Sequence, residues 1–261
     1  MSFSVPRGRV FALLGHNGAG KTTTINCILD LVHPDRGQVN ILGMPHGDCA
    51  VRSRVGYLPE RPYFFEHLTG RELLNFYAKL LGVQDGDRNR RIGELSAKLG
   101  FESYLGRRLK KYSKGMLQRI GIAQALLGDP ELLILDEPMS GLDPMGRREI
   151  RELLLEMKEQ GKTIILSSHI VPDIEQMADT VAILREGRMV MIRDLADLGA
   201  GASFEITLDG NERMVAEDVE VLSETLVRSR HENRTVNRIQ TRSTGLEDLY
   251  LSVHYRKEAV R

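Results

Sequence analysis

Leu132-Leu133-Ile134-Leu135-Asp136-Glu137-Pro138, with Ser113-Lys114-Gly115-Met116 and Gln118-Arg119 a short way before it, is the stretch that decides the fold. A compact apolar run of this length reads as a buried strand, and its end delivers two carboxylates to one edge of a sheet. Neighbouring residues on a strand face opposite ways, so Asp136 and Glu137 are expected to do different jobs. The second part of the pattern lies near the start of the chain, where Gly15-His16-Asn17-Gly18-Ala19-Gly20-Lys21-Thr22 fits the phosphate loop G-x-x-x-x-G-K-[ST]. Glycines let a backbone close around an anion with several N–H groups aimed inward, and the helix that follows adds its positive end. Lys21 then supplies a mobile charge for the β- and γ-phosphates, Thr22 a hydroxyl for Mg²⁺, and Thr23 a contact to the α-phosphate. With such a loop in the chain, Asp136 is the expected Mg²⁺ carboxylate, direct or one shell out. Glu137 is the expected base or polariser of an attacking water.

The flanking pattern suits that chemistry. Val10 to Leu14 is an apolar run ending in glycine, a strand feeding a loop, and the following helix carries Ile25, Ile28 and Leu29 on one side. It should stop before Pro34, with Asp35-Arg36-Gly37 as a turn ahead of a strand over 38–42. From about residue 66 to 127 the period is helical, with Leu73, Leu74, Tyr77, Leu80 and Leu81 forming apolar faces. A helix from Lys114 places Met116, Ile120, Ala123 and Leu127 together and ends at Gly128-Asp129-Pro130. A second buried strand, over 163–167, follows an amphipathic helix over 146–160. Alternating strands and helices imply a mostly parallel sheet. Beyond about residue 195 the character changes: Gly199-Ala200-Gly201 resembles a linker, 203–208 a strand and 246–253 a short helix, with no interpretable motif.

Composition sets the outer limits. The 261 residues are 41% hydrophobic, enough for one full-sized core and a small appended unit, and Lys+Arg equals Asp+Glu at 36 each. A net charge of zero gives no overall field toward nucleic acid or anionic lipid. Cys27 and Cys49 support neither a disulfide framework nor a cysteine metal site, and a reducing cytoplasm fits. No stretch approaches the roughly 18 consecutive apolar residues of a spanning helix. The run Val10 to Leu14 is too short for a cleavable signal and leads straight into the glycine loop.

Taken together, the phosphate loop, the Ser-Lys-Gly-Met loop and the Asp-Glu strand end resemble the ATP-binding subunits of ABC transporters, export-type members in particular, over about residues 1–195. The resemblance implies an α/β fold: a phosphate-loop NTPase core with a mostly parallel sheet and a helical subdomain, spanning 1–198, then a small α/β extension over 199–261. It implies ATP hydrolysis with Mg²⁺, coupled to a separate integral membrane permease, at the cytoplasmic face of the cell membrane. It also implies a second ATP-binding subunit, identical or related. In this family the signature loop of one subunit closes over the nucleotide held by another, so Ser113 and Gly115 would meet a γ-phosphate across the dimer, with Lys114 adding charge. The usual Leu-Ser-Gly-Gly-Gln is here Tyr112-Ser113-Lys114-Gly115-Met116, and the methionine replaces a glutamine. Ser140-Gly141-Leu142-Asp143 matches the D-loop along the dimer seam. His169, after the 163–167 strand, matches the histidine that contacts both the γ-phosphate and the catalytic glutamate.

Two departures stand out. Glu60, in Val55-Gly56-Tyr57-Leu58-Pro59-Glu60, takes the place of a glutamine that in the family reaches Mg²⁺ and the attacking water, and is expected to act as a metal ligand with stronger metal dependence. Residues 1–5 already resemble the family's second strand, so its early strand and adenine-stacking aromatic are expected either upstream of a start assigned too late or to be replaced by binding through the phosphates alone; Phe3 and Phe11 read as core. Tyr63, Phe64, Phe65 and Leu68 either receive a permease helix or pack inside. Soluble ABC ATPases acting on nucleic acid or the ribosome fit less well: fewer than a hundred residues separate the two loops, only one cassette is present and the charge is neutral. A metabolic kinase would leave Ser113-Lys114-Gly115 and His169 without a role.

Overall fold

The computed structural model describes residues 1–199, 202–208, 212–216, 219–232, 234–243 and 245–255. The chain divides into two compact units, Met1–Met191 and Ile192–Arg261. Of the expected linker, Ala200 and Gly201 lie outside the described residues.

The first unit is built on β1 (Val10–Leu14), β4 (Val55–Leu58), β5 (Leu132–Leu135), β6 (Thr163–Ser168), β7 (Thr180–Arg185) and β8 (Arg188–Asp194), which form one sheet in the order β4-β5-β6-β1-β7-β8. The first five run parallel. Strands covered on both faces need apolar residues throughout, and β1, β5 and β6 are buried at every position. Between β7 and β8 the chain reverses at Glu186 and Gly187, both with positive φ (51° and 75°), as a tight two-residue turn requires. The expected strand over 38–42 shrinks to the two-residue β2 (Asn40–Ile41), paired with β3 (Met44–Pro45). Residues 1–5 form no strand. Phe3 instead stacks on Phe11 at 5.0 Å and packs, partly buried, against the core cluster to which Phe11 belongs.

Helix α1 (Lys21–Ile28) follows the glycine loop, and α2 (Cys49–Arg52) precedes β4. Next come α3 (Gly70–Leu80), α4 (Asp85–Lys98) and α5 (Lys114–Leu126). Thr69 starts α3 with a reciprocal cap, its hydroxyl accepting the Glu72 N–H while Glu72 accepts the Thr69 N–H at 2.8 Å. Leu73, Leu74 and Ala78 bury against the unit, whereas Leu80 and Leu81 stay 67% and 41% exposed, so the expected apolar face does not close at its C-terminal end. Most of α5 is buried. It lies so close to β4 that a Cβ on Gly56 would sit 2.1 Å from the Ala125 carbonyl oxygen. Helix α6 (Pro144–Glu159) and the short α7 (Val171–Glu175) complete the unit.

The second unit contains β9 (Ala202–Leu208), β10 (Arg213–Ala216), α8 (Val219–His231), β11 (Val236–Ser243) and α9 (Leu246–Tyr255). Its sheet has the order β10-β9-β11, antiparallel throughout. A small core forms from Ile206, Leu208 and Ala216 with Leu222 of α8.

Candidate functional site

Adjacent strands β5, β6 and β1 end together, as their registers show: Leu135 lies opposite Leu166, and Leu14 opposite Ser168. Whatever follows each strand is therefore gathered at one sheet edge, the usual place for a ligand in an open α/β sheet. After β1 the Gly15 N–H donates to the Ser168 carbonyl at 3.2 Å. A side chain on Gly15 would collide with the Leu184 carbonyl oxygen at 2.7 Å and the Ala19 Cβ at 2.8 Å, so glycine is obligatory there. The loop is braced by Ala19 N–H to His16 O at 3.1 Å and by Gly187 N–H to Ala19 O at 3.0 Å. The turn between β7 and β8 thus props the glycine loop from behind. Gly20, at φ 103°, delivers the chain into α1 with Lys21 as its first residue.

Lys21 is buried and its ammonium is held by Gly15 O at 2.7 Å, His16 O at 3.3 Å and Glu137 Oε1 at 3.2 Å. Three partners match its three donors. The same carboxylate meets His169 Nδ1, which lies 3.1 Å from Oε1 and 3.0 Å from Oε2. His16 to Thr23, Glu60, Glu137 and His169 line a single cavity of about 480 Å³, which Lys114 and Ser140 also border. Lys114, expected to act across a dimer, thus borders the cavity of its own chain.

Asp136 is fully buried and is not among the residues that line this cavity. One carboxylate oxygen accepts the Ser167 hydroxyl, and Ser167 Oγ in turn accepts the Glu137 N–H at 2.9 Å. The other oxygen, Oδ2, is buried with no hydrogen-bond partner among the described residues. Burial together with the Asp136 charge pushes the Tyr57 phenol up to about 12. The two acids do separate, but not by strand alternation. Both lie past the end of β5, and Glu137 has φ 51°, so a turn, not the pleat, sends its carboxylate toward Lys21.

Ser113 caps α5: its hydroxyl accepts the Met116 N–H at 3.3 Å, and its own N–H points at the Met116 sulfur at 3.4 Å. The thioether fills locally the place of a capping-box side chain. Lys114 Nζ donates to Ser140 Oγ at 2.9 Å, within the same chain. Ser113, Gly115 and Met116 do not line the cavity, nor do Gly141, Leu142 and Asp143. Leu142 is buried, and Asp143 caps α6 by accepting the Gly146 N–H at 2.7 Å. Two residues given no role from sequence are central here. Ser167 ties the two acids together. Gln118, 1% exposed, donates to the carbonyls of Glu137 and Pro138 at 3.1 and 2.9 Å. Neither carries a local signal that separates it from its polar neighbours, Arg119 and Gln124 in α5 and Ser168 in β6.

Residues 1–140, which carry the glycine loop, the Ser113 loop and the Asp-Glu turn, match the family described as ABC transporter. The chain belongs to the ABC transporter family. An uncharacterised ABC transporter ATP-binding protein of Synechocystis is 46% identical over 215 residues, 81% of this chain and 61% of the relative. A bacitracin transport ATP-binding protein of Bacillus licheniformis is 42% identical over 193 residues, 73% of this chain and 62% of the relative. The chain therefore spans about three fifths of the length of these relatives. A solved ATP-binding subunit of an ABC transporter superposes with a TM-score of 0.70 at 38% identity, covering 76% of this chain and 83% of that one. The mixed α/β fold with its mostly parallel sheet is the fold of ABC ATPase cassettes. Among the described residues no helix is long and apolar enough to cross a membrane.

Proposed function

We propose that this chain binds and hydrolyses ATP as one subunit of a transporter and drives a separate membrane permease. The observation that carries the reading is the convergence of the Lys21 ammonium, the Glu137 carboxylate and the His169 imidazole at the mouth of the glycine loop. The backbone N–H groups from His16 to Thr23 and the first turn of α1 hold the phosphates, and Lys21 exchanges its loop carbonyls for phosphate oxygens. Glu137 accepts the proton of the attacking water, and His169 orients that carboxylate.

A Mg²⁺ ion fits these residues. Hard cations take oxygen ligands, and the Thr22 hydroxyl, the Glu60 carboxylate and the partnerless Oδ2 of Asp136 offer them. When bound, the ion would neutralise charge on the β- and γ-oxygens.

We infer that the site is completed by a second chain, because Ser113 and Gly115, at the N-terminal end of α5, are not among the residues that line the chain's own cavity. A second subunit, identical or related, would bring its copy of that helix end to the γ-phosphate. For the permease, a groove of about 290 Å³ between β4 and the α3 and α5 helices is lined by Tyr57, Pro62, Tyr63, Phe64, Tyr77 and Leu81. Tyr63 is 90% and Phe65 54% exposed, which favours docking over interior packing. This reading places the protein at the cytoplasmic face of a membrane, without a nucleic-acid partner, and the bacitracin transport relative favours export.

The deciding experiment is Glu137→Gln. The variant should bind Mg-ATP with near-normal affinity, lose at least a hundredfold in turnover, and dimerise in Mg-ATP by light scattering. Turnover at the normal rate removes the assignment of Glu137, and a nucleotide-loaded monomer removes the shared site. Tyr63→Ala, which alters the groove lining at its most exposed ring, should keep ATP hydrolysis and lose permease association; retained association rejects the groove.

A further inference from the structure

Glu137 stands in a conformation that its residue type disfavours. Its φ of 51° is left-handed, and it precedes Pro138, whose ring pushes the preceding residue toward extended backbone. Such a residue stays put only where its surroundings over-determine it. Here they do so through the backbone. The Glu137 carbonyl accepts Gln118 Nε2 at 3.1 Å and the Ser140 N–H at 3.0 Å. Its N–H is taken by Ser167 Oγ at 2.9 Å, and the next carbonyl, of Pro138, accepts the second proton of the same Gln118 amide at 2.9 Å. Both peptide units around Glu137 are fixed while its carboxylate is left to Lys21 and His169.

Gln118 belongs to the first turns of α5, the helix that begins at Ser113. Lys114, one turn earlier on the same face, donates to Ser140 and lies with its alkyl stem against Gly141, where a Cβ would come within 2.6 Å of it. The start of α5 therefore grips the turn after β5 at two points. Gln118 is the buried one and Lys114 the exposed one.

We propose that Gln118 is a positioning residue for hydrolysis: it fixes the left-handed turn that aims the Glu137 carboxylate, and so ties that carboxylate to the helix end that a partner subunit's nucleotide would engage. This rests on the reading of Glu137 as the base. It assigns to a glutamine outside the cavity a role in kcat and none in nucleotide affinity.

The test uses the full chain. Gln118→Met keeps length and bulk and removes both donors; Gln118→Leu replaces it should the methionine variant be insoluble. We expect kcat to fall about tenfold, equivalent to about 1.4 kcal/mol, with KM and the affinity for Mg-ATP within twofold of the parent. In the Glu137→Gln background the same change should leave the residual rate unaltered, because the group it positions is already gone. Three results overturn the proposal: kcat within twofold of the parent while Glu137→Gln is inactive, an equal fold loss in both backgrounds, or a loss that only tracks the folded fraction measured by circular dichroism. Should Glu137→Gln itself turn over normally, the base assignment fails first, and the proposal falls with it.

Discussion

Removing the hydroxyl of Ser167 should cost more than its size suggests. Ser167 is fully buried, and its oxygen makes two bonds at once, donating to Asp136 and accepting the Glu137 N–H at 2.9 Å. Alanine leaves a buried carboxylate oxygen and a buried amide without partners, on an aspartate whose other oxygen already lacks one. A buried group stripped of its partner costs about 1–3 kcal/mol, so ~1.5 for each gives ~3 kcal/mol. For a unit of this size, at about 2–4 °C per kcal/mol, the melting temperature should drop by roughly 6–12 °C. Urea and thermal unfolding followed by circular dichroism would measure it. Ser168→Ala is the internal control: among the described residues its hydroxyl accepts the Ile170 N–H alone, at 3.0 Å, and its loss should cost about 1 kcal/mol. If Ser167→Ala unfolds within about 0.5 kcal/mol of the parent, or no less stably than Ser168→Ala, the hydroxyl does not bridge the acids and the account of the Asp136-Glu137 turn is wrong.

Further tests probe other parts of the molecule. Gly56→Ala drives a methyl group to 2.1 Å from the Ala125 backbone oxygen, which only a shift of α5 can relieve, and should destabilise by about 3 kcal/mol or more in the same unfolding assay. Because the Tyr57 phenol is pushed from 10.0 up to about 12 by burial and then by Asp136, the folded state holds it neutral. Its contribution is intact below the ordinary value and is lost as pH climbs toward the folded one, so stability should fall more steeply in the parent than in Tyr57→Phe across that window; parallel curves would contradict it. Glu60→Gln should raise the Mg²⁺ concentration for half-maximal ATP hydrolysis several-fold, and unchanged metal dependence and turnover would dismiss Glu60 as a ligand.

The frame of the site was legible because it is written locally. The apolar runs at Val10 to Leu14 and Leu132 to Leu135 became β1 and β5 at the expected positions, and the glycine loop fell between a strand and a helix. What escaped depends on partners far along the chain. Ser167 reads as the polar end of a strand until the Glu137 amide, 30 residues away, is seen beside it, and Gln118 as a helix residue until the turn 19 and 20 residues on packs over it. The first five residues misled for a related reason: alternating Phe3 and Val5 suit a strand, yet they meet the core as side chains without a ladder. The contact division after Met191 falls inside β8, whose alternate residues face water and whose composition gives no sign of a boundary.

Strand β1 hangs between β6 and β7, with ladders on both flanks. A cradle suspended from the middle of a sheet inherits the stiffness of its neighbours, and the sheet's outer margin at β8 is two strands away. The hairpin at Gly187 couples that margin to the cradle, because its N–H reaches back to the Ala19 carbonyl at 3.0 Å. An engineer reworking the sheet margin should therefore spare that hairpin, since a shift there is felt at the phosphate cradle.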